Sequence, residues 1–149
     1  MRPVTGITCA LLILVVTSAF VGPVLRSQKN PPASDDVQRG RYLVEEVAEC
    51  GECHTPRDEN NQIDHSRWLQ GATIWIRPVR AMPNWGEFAP PLAGLPSFTT
   101  DQAEHVLEAG EGVVGKPIQP PMHTYHMSHS DAQAIVAYLK SLPAPRVQR

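Results

Sequence analysis

Residues Cys50, Gly51, Glu52, Cys53 and His54 read C-x-x-C-H. Two thiols three residues apart share one side of a helical turn, and an imidazole follows them directly. This is the attachment signature of c-type haem: the thiols reach its two vinyl groups and the histidine comes under the iron. The same C-x-x-C spacing also serves thioredoxin-like redox sites and zinc sites. No βαβ pattern surrounds it, which argues against the redox site. For zinc, Cys50, Cys53 and His54 are adequate ligands and His123, His126 or His129 would complete a tetrahedral set, but structural zinc sites usually space Cys and His differently. The reading is one covalent haem c and its iron, with a zinc-binding module as the lesser alternative.

An iron held by one histidine leaves a second axial position to assign. The candidates are the sulfurs of Met82, Met122 and Met127 and the imidazole of His123. Met122 is preferred, because Pro120 and Pro121 form a stiff segment before it and it lies between two expected helices. Met127 directly precedes Ser128, a helix cap, where an apolar residue usually packs back onto its own helix. His123, His126 and His129 also have the i, i+3, i+6 spacing of a copper or zinc site. The simpler reading is solvated histidines beside a turn, one of them available to a haem propionate.

These residues need elements to position them. After Ser34 and Asp35, either able to cap a helix, Val37, Leu43, Val44 and Val47 recur at roughly helical spacing and predict a helix over 36–49. A second runs from Asp101 to Ala109, opened by Thr99 or Thr100, with Ala103, Val106 and Leu107 inward and Gly110 at its end. A third starts at Ser128, with Asp131 three residues on; Ala132, Ile135, Val136 and Leu139 form its stripe and Pro143 stops it. Residues 55–98 show no helical pattern and contain six prolines. So long a loop in a small domain is improbable unless it wraps something. Three short helices also bury little apolar area for this size. A flat apolar cofactor would supply the missing interior. The expected fold is all-α: three to four short helices and long loops around one haem, plus an N-terminal apolar helix.

The chain has 149 residues, enough for one domain, and is 42% apolar with 15 prolines and 10 glycines. Residues 1–33 carry Arg2, Arg26 and Lys29 and no acid, so the remaining chain is −5 of a total of −2. No cluster of lysine and arginine marks a nucleic-acid partner. An uncharged stretch over 3–25, with ALLILVV at 10–16, is just long enough to span a bilayer. Residues 1–26 are expected to be a membrane anchor, with a signal peptide cleaved after Ala19 as the alternative. Cys9, inside this stretch, reads as a small apolar residue. Residues 27–36, with Pro31 and Pro32, form a linker, 37–143 the domain and 144–149 a tail. Haem attachment to an exported chain places the domain at the periplasmic face of a bacterial inner membrane.

From these residues the chain resembles the class I c-type cytochromes, particularly the small monohaem cytochromes of bacterial respiratory chains and those serving periplasmic dehydrogenases. The resemblance is carried by Gly40, Tyr42 and Leu43, CGECHTPR over 50–57, Gly110 to Gly115, Pro120 to Met122 with Tyr125, and SHSDAQAIVAYLKSLP over 128–143. It implies that the first and last helices cross, bringing Gly40 and Tyr42 to Tyr138 and Leu139. It also implies Cys50 and Cys53 as attachment sites, His54 as proximal ligand and a methionine at the position of Met122. His123 stands where relatives often have proline, which keeps a histidine ligand open. The stretch Trp68 to Trp85 aligns closely with nothing in the family; Trp68, Trp75, Arg77, Arg80 and Trp85 either line the haem or bind its propionates, or only fill space.

The function expected is one-electron transfer, with no small-molecule substrate and with redox proteins, a dehydrogenase or a terminal oxidase, as partners. The −5 charge suggests a basic docking face on some partner. The alternatives are a haem subunit of a larger oxidoreductase and a haem enzyme or ligand sensor with an open sixth position.

Overall fold

Asp35 and Asp36 open the first helix, α1 (Asp35–Tyr42), where carboxylates favour the positive end of the helix dipole. The computed structural model describes residues 34–113 and 116–145. The apolar segment 3–25, Cys9, most of the linker and the end of the tail lie outside the described residues. Among the described residues no helix is long and apolar enough to cross a membrane.

The helix expected over 36–49 does not stay α throughout. After Tyr42 it widens into a π turn, Leu43–Val47, in which the Ala48 amide donates to the Leu43 carbonyl at 2.8 Å. The wider turn breaks the 3.6-residue spacing. Leu43 and Val44 are buried as expected, while Val47 is 53% exposed.

The other two long helices follow their local signals. In α3 (Thr100–Ala109) the Thr99 hydroxyl accepts from the Gln102 amide, the Gln102 side chain accepts from the Thr99 amide, and Gly110 leaves the helix at φ 68°. In α4 (His129–Ser141) the Ser128 hydroxyl accepts from the Asp131 amide at 3.2 Å. The Asp131 carboxylate does not close the box but pairs with Arg39 on α1 at 3.0 Å.

α1 crosses α4 at Gly40. A β-carbon there would lie 1.9 Å from the Ala134 carbonyl oxygen and 2.8 Å from the Tyr138 β-carbon, so only glycine allows this approach. Tyr138 is buried and donates its hydroxyl to Glu45. Tyr42 is half exposed, with the Arg39 guanidinium 5.8 Å from its ring centre.

The proline-rich stretch 55–98 begins after a one-turn helix, α2 (Gly51–His54), and contains a short 3₁₀ turn at His65–Arg67. It also holds a small antiparallel pair, β1 (Ala72–Thr73) and β2 (Phe88–Ala89), with Ala72 opposite Ala89 and Thr73 opposite Phe88. The helices among the described residues agree with the all-α expectation, and this short pair is the one addition to it there. Strands of two residues leave no periodic pattern to read, and their partner lies some fifteen residues away. Leu69, fully buried at φ 56°, ties the stretch together. Its amide donates to the Thr55 hydroxyl at 3.0 Å, and its carbonyl accepts from the amides of Leu92 and Ala93 at 2.9 and 3.0 Å. The core gathers Leu43, Val44, Leu69, Ile135, Val136 and Leu139.

Candidate haem site

A cavity of about 470 Å³ opens beside this core. Its walls are mostly apolar, with Ile74, Leu92, Leu95, Phe98, Ile135 and Leu139 among them. That volume suits a cofactor-sized ligand.

Cys50 caps α2, so Cys50, Cys53 and His54 fall on one short turn, and all three line the cavity. Burial pushes the Cys50 thiol up to about 11; burial and then the Glu52 charge push up Cys53. Both remain thiols at neutral pH, and neither is in a disulfide. His54 is 6% exposed, and its Nδ1 lies 2.7 Å from the Pro90 carbonyl oxygen. Desolvation lowers its pKa, partly opposed by that bond. A neutral ring donating from Nδ1 carries its lone pair on Nε2, the form that binds a metal.

Another part of the wall comes from the segment between α3 and α4. Met122, His123, Tyr125 and Met127 all line the cavity. Met122 follows a cis Pro120–Pro121 bond, and its amide donates to the Gln119 carbonyl at 3.0 Å. The segment is tied down at three points: Gly86 amide to Pro120 carbonyl at 2.6 Å, Tyr125 hydroxyl to Ala48 carbonyl at 3.3 Å, and Met127 amide to Leu107 carbonyl at 2.9 Å. Burial raises the Tyr125 hydroxyl to about 12, so it stays protonated and can donate. Met82 is 48% exposed and lies off the cavity wall.

The aromatic and basic residues of 68–85 do not line the cavity. Trp68 instead packs behind the motif: a β-carbon on Gly51 would lie 2.1 Å from its ring. Trp75 donates to the Glu52 carbonyl at 3.3 Å and lies under the Arg57 guanidinium, 4.5 Å away, while Arg57 pairs with Glu52 at 2.6 Å. Sequence reasoning missed Pro90, Thr55 and Leu69 as supports of His54. Their link to it is made of backbone groups and one hydroxyl, for which no spacing exists.

The zinc alternative finds no fourth ligand. Among the described residues the group whose ligand atoms come together is Glu104, Glu108 and His129, all outside the cavity. His123, which does line the cavity, forms no such group with Cys50, Cys53 and His54. Two thiols, a neutral buried imidazole and a thioether around an apolar cavity fit haem c.

Residues 37–143 match the cytochrome c family. The chain belongs to that family. Among curated relatives, it is 34% identical over 116 residues to a fructose dehydrogenase cytochrome subunit of Gluconobacter japonicus, covering 74% of this chain and 23% of that one. It is 36% identical over 115 residues to a diheme cytochrome c-type protein of Cereibacter sphaeroides, covering 72% and 36%. It is 33% identical over 119 residues to the cytochrome c subunit of a quinone alcohol dehydrogenase of Gluconobacter oxydans, covering 73% and 24%. The chain thus spans between about a quarter and a third of the length of these relatives. The cytochrome c family is one of haem-carrying electron-transfer proteins.

Proposed function

We propose that this chain passes single electrons to or from a dehydrogenase, as a free carrier or as a haem subunit, using one haem c. The convergence of Cys50, Cys53, His54 and Met122 on one buried apolar cavity carries this reading. One C-x-x-C-H in the chain supports one haem. Cytochrome subunits of fructose and alcohol dehydrogenases among the relatives support a dehydrogenase as partner. The apolar stretch 3–25 supports anchoring at the periplasmic face of the inner membrane.

When bound, haem c supplies a one-electron ferric–ferrous couple. Cys50 and Cys53 would hold it through thioethers, and the His54 nitrogen and Met122 sulfur would be ligands to its iron. Pro90 fixes the ring of His54 and favours the tautomer that keeps its lone pair on Nε2. Leu95, Phe98, Ile135 and Leu139 would exclude water from the bound group, an environment that would raise its potential. Tyr125 and Gly86 hold the Met122 segment in place, which disfavours an open sixth position.

The test is a visible spectrum of the matured protein, oxidised and reduced. A low-spin c-type spectrum is expected, with the weak red band of iron bound to methionine sulfur in the oxidised form. That band should vanish in Met122→Ala and persist in Met127→Ala. Its survival in Met122→Ala overturns the axial assignment, and a colourless folded protein overturns the function.

A further inference from the structure

The hairpin between β1 and β2 carries large exposed apolar side chains, and of these Phe88 also lines the cavity. Trp75, Val79, Met82 and Phe88 are 53%, 103%, 48% and 60% exposed. Large apolar side chains clustered at one exposed place mark an interaction surface. Arg77 and Arg80 stand among them, exposed and without a carboxylate partner among the described residues. From 72 to 89 the hairpin contains Arg77 and Arg80 against one acid, Glu87, whereas 34–71 holds nine acids against four bases and 90–145 five against two. The hairpin is thus a positive, aromatic and methionine-bearing stretch in an acidic domain. Arginine, tryptophan and methionine are the residue types enriched at protein interfaces.

Its position matters as much as its composition. Ile74, Gly86 and Phe88, at the base of the hairpin, line the cavity. A protein seated on Trp75, Arg77, Arg80 and Phe88 would sit at the cavity rim. The indole of Trp75 is already fixed by Glu52 and Arg57, so little freedom is lost on docking. We infer that this hairpin is the docking face for a redox protein whose own contact surface is acidic around an apolar centre, an inference that rests on the electron-transfer reading above. It reverses the partner charge that the −5 total suggests. The net charge repels an acidic partner from the rest of the surface and leaves the hairpin as the attractive face.

The test uses the full, haem-loaded chain in stopped-flow reduction by two donors: flavodoxin hydroquinone, a strongly acidic protein, and durohydroquinone, a small neutral molecule. Arg77→Gln/Arg80→Gln should slow reduction by flavodoxin at least about fivefold at low ionic strength, with the gap closing as salt rises. Val79→Ser/Met82→Ser should slow it by an amount that salt does not remove. Both should leave the durohydroquinone rate within twofold of wild type. Lys140→Gln, which removes a positive charge elsewhere, should leave both rates within about twofold. Hairpin variants that match wild type with flavodoxin, or a Lys140→Gln that slows as much, overturn the proposal. So does a loss of sedimentation with phosphatidylglycerol vesicles at unchanged flavodoxin rates, which assigns the face to a lipid surface. A preparation with no reducible haem spectrum fails before any donor is added, and then the electron-transfer reading falls first.

Discussion

The Nδ1 atom of His54 lies 2.7 Å from the carbonyl oxygen of Pro90, a residue 36 positions further on. One end of the imidazole is thereby held by the residue that follows β2, and the other is left to the cavity. Replacing His54 by Ala should leave the thioethers of Cys50 and Cys53 intact, so the protein remains coloured, while the low-spin spectrum is lost. Added imidazole should restore that spectrum, because the space and the apolar wall persist. A His54→Ala protein with an unchanged spectrum would show that the iron takes its nitrogen elsewhere.

Thr55 holds the next link. Its buried hydroxyl accepts from the amide of Leu69, itself fully buried. Thr55→Val keeps the shape and strands that amide, at a cost of about 1–3 kcal/mol. Thr55→Ser keeps the acceptor and should cost clearly less. Denaturant titration of the two variants measures the difference.

Gly40 sets how closely α1 and α4 approach. Adding even a methyl group puts it 1.9 Å from the Ala134 carbonyl, backbone that cannot swing aside. Gly40→Ala should destabilise by about 1–3 kcal/mol or more, and Gly40→Val further, since the helices must separate. An unchanged denaturation midpoint in Gly40→Ala would mean that the crossing has slack.

His129 and Glu108 join α4 to α3, Nδ1 to carboxylate oxygen at 2.7 Å. The hydrogen bond, then the charge of Glu108, raises the pKa of His129 above its ordinary 6.5. A raised folded-state pKa means that the stabilisation is complete below 6.5 and disappears as pH climbs through the folded-state value. His129→Gln should therefore lower the denaturation midpoint below pH 6.5 and converge with wild type at high pH. The pair is solvent-exposed, so the effect is small and should shrink in salt.

What the sequence determined by itself is what can be completed within a few residues. The C-x-x-C-H turn, the Thr99 cap with Gln102 and the Ser128 cap need partners no more than four positions away, so their types and spacing suffice. The apolar stripe of α4 is legible for the same reason: one face of one helix repeats with one period. The proline-laden 55–98, improbable as free loop, also signalled that something must be wrapped.

Tertiary structure alone decided which distant groups meet. It turned Val47 outward through a π turn and paired Ala72 with Ala89. It put Met82 on the surface while Met122, His123 and Met127 stayed on the cavity wall. It also gave His54 its partner at Pro90 and Leu69 its partners at Thr55, Leu92 and Ala93. These contacts are made largely by backbone amides and carbonyls, which every residue carries alike. Their pairing follows from the need to satisfy each buried polar group in a closed body, a condition on the whole chain that no local pattern encodes.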